Sequence, residues 1–185
     1  MPQIISALKI AKSKGLNIPI VYNSNGYENV ETIELLKGHV DIFLPDLKYL
    51  NDDTSVRYSS APNYFETASK AIAKMFEFVD GIEFDDNGLM RRGVIVRHLI
   101  LPNHRRESMK IVEWLYKTFG DDIYISLMNQ YTPMFKAAQF KKLNRKLTTF
   151  EYNSVVNFAA ELDIKNCFIQ IGKTASESSV PNFDQ

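Results

Sequence analysis

Residues 18–28, IPIVYNSNGYE, and residues 40–50, VDIFLPDLKYL, share one design. Each is a run of β-branched and aromatic residues that stops abruptly in small polar and charged groups. Runs of this kind read as strands of a parallel sheet, buried by helices on their faces. Ile18, Ile20 and Val21 are expected to be buried, with Asn23, Ser24 and Asn25 forming a polar mouth beyond them. Asp46 and Lys48 close the second run. Two residues apart on an extended chain, they point to the same face.

Helical and apolar segments alternate along the rest of the chain. PQIISALKIAKSKG puts Ile4, Ile5, Leu8 and Ala11 on one helical face, with Pro2 at its start and Gly15 at its stop. ENVETIELLKG is a short helix with Val30, Ile33 and Leu36 facing inward. A longer helix runs from Ala61 to Val79. IEFDDNGLMRRG reads as a hairpin turning at Asn87-Gly88. VIVRHLIL is a strand, RESMKIVEWLYKTFG a helix, IYISLM a strand and NCFIQ a last short strand. TTFEYNSVVNFAAELD is a helix capped by Thr148 or Thr149, with Glu151 close behind. The pattern predicts an α/β fold with about five parallel strands. Periodicity alone leaves open a doubly wound sheet and a partial β/α barrel. Residues 173–185 read as a mobile polar tail.

The 185 residues suffice for one domain with a substantial core, and 45% of them are hydrophobic. Lys plus Arg balances Asp plus Glu at 22 each, so charge gives no argument for nucleic acid or membrane as a partner. No apolar run has the length of a membrane span, and the N-terminus does not read as a signal peptide. A cytoplasmic location is the expectation. The single cysteine, Cys167, excludes an internal disulfide and a cysteine-held cluster within this chain, and reads as a buried small hydrophobe.

Ligands of parallel α/β folds sit at the carboxyl ends of the strands. The polar groups gathered there are Asn23, Ser24, Asn25, Asp46, Lys48, Arg97, His98, Asn129, Gln130 and Tyr131. Asn-Ser-Asn-Gly is also ordinary turn chemistry, and Asp46–Lys48 is also an ordinary ion pair. Arg97 inside an apolar strand demands a partner. His98 must point away from Arg97 and reads as a packing histidine, while His39 and His104 read as surface residues. No nucleophile elbow, P-loop, zinc motif or dinucleotide fingerprint is present.

The ordered segments IPIVYNSNGYE, VDIFLPDLKY, YSSAPNY, GVIVRHLILP, SLMNQYTP and LTTFEY resemble radical S-adenosylmethionine (SAM) enzymes, in the branch similar to pyruvate formate-lyase-activating enzyme. The resemblance runs from Pro2 to about Gln170. It implies a partial β/α barrel over residues 1–172. It also implies an oxidoreductase chemistry in which a 4Fe-4S cluster, held by a CxxxCxxC loop, cleaves SAM reductively. The resulting radical abstracts hydrogen from a glycyl-radical enzyme, the partner protein. By motif position, Asn23, Ser24, Asn25, Asp46, Lys48, Gln130 and Tyr131 would face SAM, and Arg97 the substrate. The CxxxCxxC loop and the strands around it have no counterpart in this sequence. The expectation is therefore a C-terminal portion of such an enzyme, without a cluster and without a catalytic or metal-binding residue of its own, inactive in isolation. The alternative is a folded binding module without redox chemistry. A strand edge exposed at IPIVYN further predicts a homo-dimer.

Overall fold

A computed structural model describes residues 1–170 of the chain. The expected tail at 173–185 lies outside the described residues. Five strands form one parallel sheet: β1 (Val21–Ser24), β2 (Ile42–Pro45), β4 (Met90–Leu99), β5 (Tyr124–Met128) and β6 (Cys167–Ile169). A short strand, β3 (Glu83–Phe84), pairs antiparallel with the start of β4. The turn between β3 and β4 is built as the Asn-Gly signal predicts. Asp85 accepts from the Asn87 and Leu89 N–H groups, and Gly88 takes φ +75°.

The spatial order β1-β2-β4-β5-β6 follows the chain order without a reversal. A doubly wound sheet needs such a reversal. With right-handed crossovers, an unreversed order places every connecting helix on the same face. The fold is therefore an open, barrel-type arrangement, a parallel sheet wound in one direction as in a partial β/α barrel. The crossovers are α2 (Val30–Glu34), then α3 (Asp52–Ser59) with α4 (Tyr64–Val79), then α5 (Arg105–Phe119), then α6 (Thr149–Glu161); α1 (Pro2–Ser13) precedes β1.

Burial along the strands follows this one-sided cover. Phe43, Leu47, Val94, Val96, His98, Ile100, Ile125 and Leu127 are buried toward the helices. Ala68, Ala71, Ile72 and Met75 of α4, and Ile111, Val112 and Leu115 of α5, meet them there. The alternate set, with Leu44, Ile95, Arg97, Tyr124 and Ser126, is only partly covered.

Several expectations need correction. The first strand is not buried: Val21 is 51% exposed and Ile18 is 63% exposed. Among the described residues β1 has a neighbour on one side alone, so its edge stays open. Helix α1 keeps the expected apolar stripe, yet none of its residues is buried. The helix expected from Ala61 begins at Tyr64, and a separate helix, α3, precedes it. Periodicity misses α3 because its buried positions are polar, Thr54 and Ser55, while its Val56 is exposed. The last helix carries the predicted cap: Thr148 Oγ1 accepts from the Glu151 N–H, and the Glu151 carboxylate accepts from the Thr148 N–H.

Candidate functional site

The carboxyl ends of β1, β2 and β4 are tied to one another by their backbones. The Asp46 N–H donates to the Ser24 carbonyl, and the Leu47 N–H donates to the Arg97 carbonyl. Asp46 also bridges Arg97 directly, in parallel register. This register carries Asn23, Asp46 and Arg97 onto the face away from the helices.

The side chains then meet. Arg97 Nη2 donates to Asn23 Oδ1 at 2.7 Å and pairs with Asp46 Oδ1, also at 2.7 Å. Lys48 Nζ stands 3.2 Å from Asp46 Oδ2. Asp46 is 8% exposed, and a carboxylate so buried needs its charge answered. Here two cations answer one anion, which leaves a net positive charge. The Lys48 side chain keeps about a third of its surface open to solvent, and that of Arg97 a quarter. The Nε of Arg97 is buried and has no hydrogen-bond partner among the described residues. Chemically, the group offers a fixed carboxylate for hydroxyl or ammonium donors and two partly open cations for an anionic group.

The loop leaving β1 is held by turn chemistry. Ser24 Oγ accepts from the Gly26 N–H, and Asn25 Oδ1 accepts from the Tyr27 N–H. These side-chain oxygens are thus engaged within the turn. Gly26 has φ +78°, and a Cβ there would lie 2.0 Å from the Asp46 carbonyl oxygen. Only glycine lets the two loops come this close.

Tyr64, from α4, joins both loops. Its hydroxyl lies 3.0 Å from the Asn25 carbonyl, 3.0 Å from the Asp46 carbonyl, and accepts from the Lys48 N–H at 3.1 Å. Its ring stacks on Tyr27 and meets Tyr49 edge-on. Burial raises its phenol well above the ordinary range, so it stays protonated. The sequence places Tyr64 within the helix expected over residues 61–79 and gives no sign of this role. Periodicity reports that a tyrosine is inward-facing, not where its hydroxyl ends.

Gln130 and Tyr131 lie apart from this group. The Tyr131 hydroxyl donates to the Leu143 carbonyl, and burial raises its phenol. Gln130 is exposed, with its amide nitrogen 3.5 Å from Met128 Sδ. Neither shares a hydrogen bond or ion pair with Asn23, Asp46, Lys48 or Arg97 among the described residues. Asn129 receives the Gln170 side chain at its backbone N–H.

His98 faces the helices, opposite to Arg97. Its Nδ1 lies 2.6 Å from the Leu47 carbonyl, and burial lowers its basicity. His104 is not a surface residue. Its Nδ1 stands 3.2 Å from Glu107 Oε2 and its Nε2 3.2 Å from the Tyr58 hydroxyl. His39 is half-buried. Cys167 is half-buried rather than fully enclosed, and burial pushes its thiol up to about 11.

No protein-family model matches the chain. The sequence is 33% identical, over 166 residues, to an uncharacterized protein of Methanocaldococcus jannaschii. The match covers 88% of this chain and 44% of that protein, so the chain spans less than half the length of its curated relative. The fold is similar to the crystal structure of a domain of pyruvate-formate lyase-activating enzyme from Bacteroides vulgatus. The TM-score is 0.63 at 16% identity, over 92% of this chain and 91% of that one. At this identity the likeness establishes the fold. No helix among the described residues is long and apolar enough to cross a membrane.

Proposed function

We propose that this chain forms the SAM-facing part of a radical SAM protein of the glycyl-radical-enzyme activase type. The observation that carries the reading is the Asn23–Arg97–Asp46–Lys48 group at the carboxyl ends of three parallel strands. It stands where β/α folds bind ligands, in a sequence whose motifs resemble that family. In this reading Lys48 meets the SAM carboxylate, the Asp46 carboxylate accepts from its ammonium or hydroxyl groups, and Asn23 sets the guanidinium of Arg97 toward the substrate side. Ser24 and Asn25 shape the turn that borders the ligand. Gln130 and Tyr131 border the adenosine end from the far side of the sheet rim.

The residues present fit SAM and do not fit the cluster. A 4Fe-4S cluster takes cysteine thiolates, and the chain has one cysteine, whose thiol burial keeps protonated. No group of three or more His, Cys, Asp or Glu side chains among the described residues is placed to hold a metal ion. No step of the reaction is therefore assigned to this chain. Its part is to bind and orient SAM, while thiolates from outside these residues would hold the cluster that supplies the reducing electron. The glycyl-radical enzyme is the partner in this reading.

The test is SAM binding to the chain, read by saturation-transfer NMR on the adenine and methyl resonances. Without an iron to chelate the methionine end, affinity is expected near a Kd of about 1 mM, equivalent to roughly 4 kcal/mol. Lys48→Ala should weaken it further. An unchanged signal in Lys48→Ala would remove the basis for this site. Anaerobic reconstitution of this chain alone should leave no stoichiometric iron and sulfide. A stable cluster on the monomer would contradict the assignment of its ligands elsewhere.

A further inference from the structure

A cleft of about 720 Å³ lies between α3 and the first turns of α5 and α6, and none of its lining residues belongs to the Asn23–Arg97–Asp46–Lys48 group. Five cations, Arg105, Arg106, Lys110, Lys142 and Arg145, line it against two carboxylates, Glu107 and Glu151. Both carboxylates are already engaged. Glu107 accepts from the Leu50 and Asn51 N–H groups and the Thr54 hydroxyl. Glu151 accepts both arms of Arg145, the Asn103 N–H and the Thr148 cap. Arg145 is consumed in that pairing. The other four cations have no carboxylate partner among the described residues. Arg105 rests over the ring of Phe150, 4.8 Å from its centre, and reaches the Ser154 hydroxyl. Phe150 itself is 68% exposed at the lip of the cleft.

The chain as a whole is formally neutral, so this is a local concentration of charge, not a general excess. The engaged carboxylates hold the walls: Glu107 ties α5 to the start of α3, and Glu151 ties α6 to the loop before α5. The open cations stand on those walls. We propose that this cleft binds a small molecule bearing two or more linked phosphate groups, such as inorganic polyphosphate or a nucleoside di- or triphosphate. The volume is that of a small-molecule site. Several cations converging on one hollow suit a compact multiple anion better than singly charged carboxylates strung along a peptide. Arginine adds bidentate recognition of phosphate oxygens.

Calorimetric titration with inorganic triphosphate at low salt tests this. One saturable site per chain is expected, weakening as salt is raised. The double variant Arg106→Ala, Lys110→Ala should lose at least about tenfold in affinity at an unchanged thermal midpoint. Lys48→Ala should bind triphosphate as the unaltered chain does, which separates this site from the proposed SAM site. ATP binding more tightly than triphosphate, with the difference lost in Phe150→Ala, would support a nucleotide as the ligand; equal binding would support the phosphate chain alone. Absence of binding at millimolar triphosphate, or equal affinity in the double variant, would overturn the proposal. So would a glutamate-rich peptide that binds more tightly and displaces triphosphate.

Discussion

Replacing Tyr64 by Phe removes one oxygen atom and keeps the ring that Tyr27 and Tyr49 pack against. The missing hydroxyl leaves the Lys48 N–H without its acceptor and the Asn25 and Asp46 carbonyls without their donor. The Asp46 contact is fully buried and the other two are partly so. One proton cannot fully serve two carbonyls, so the hydroxyl makes about two good hydrogen bonds at any moment. A typical bond contributes about 1 kcal/mol net, and a buried group left unsatisfied costs about 1–3 kcal/mol. The loss expected is about 2–3 kcal/mol.

Urea unfolding followed by circular dichroism reads this directly, as a lower midpoint at an unchanged slope. For a chain of this size the thermal midpoint should drop by roughly 2–4 °C per kcal/mol. A change below about 0.5 kcal/mol would refute the reasoning, because it would mean that water serves these three groups as well as the phenol does. Gly26→Ala is the companion variant. Its Cβ must displace the Asp46 carbonyl, so it should destabilise more than Tyr64→Phe, through strain and not through a lost hydrogen bond.

Three further outcomes are expected. Burial alone would raise the Glu107 carboxyl, but hydrogen bonds from His104 and the Asn51 and Leu50 N–H groups outweigh it and hold it at about 2; the Arg145 pair and its neighbours hold Glu151 at about 2 as well. A depressed carboxylate stabilises above its unfolded pKa of about 4.3 and loses that contribution as pH falls toward 2, so Glu107→Gln should flatten the acid slope of stability, and an unaltered slope would contradict it. Burial lowers the His98 pKa below its ordinary value of about 6.5, so the unfolded chain takes up a proton at higher pH than the folded chain does. Stability should therefore fall from pH 7.5 to 5.5 by at most about 1.4 kcal/mol per pH unit from this group, and His98→Asn, which keeps a donor near Leu47, should remove that slope in urea titrations. The open edge of β1, with Ile18 and Val21 exposed, should associate into a dimer as concentration rises in sedimentation equilibrium, and Val21→Lys should shift it to monomer; a monomer throughout the micromolar range would mean that the edge does not pair.

The sheet and most of its helices were legible because their signals are local and repeated. Val94, Val96, Ile125 and Leu127 alternate or run together as buried strands do, and Ala68, Ile72, Met75 and Val79 recur as a helix face does. The open edge at IPIVYN was legible, but the exposure of Ile18 and Val21 on it was not, because an apolar strand reads the same whether or not its faces are covered. The direction of winding was equally hidden. It depends on which strands pair, and that is a property of the whole sheet.

The candidate site divides along the same line. Asn23, Asp46, Lys48 and Arg97 were found because charged and amide groups at the ends of apolar strands are costly without partners, and the structure supplies those partners from one another. What sequence could not supply is the scaffold that aims them. Tyr64 sits 16 residues beyond Lys48 and 39 beyond Asn25, yet its hydroxyl holds both loops. Glu107, 57 residues from Leu50, does the same for the loop that opens α3. Both act on backbone groups, which carry no sequence signal of their own. The rim of this sheet is thus positioned by side chains whose identity is readable and whose targets are not. The Asp46–Arg97 pair depends on that positioning. If the Tyr64 hydroxyl fixes the Asp46 backbone, Tyr64→Phe should loosen the loop without removing any charge, and the SAM signal attributed to Lys48 should weaken together with stability rather than independently of it.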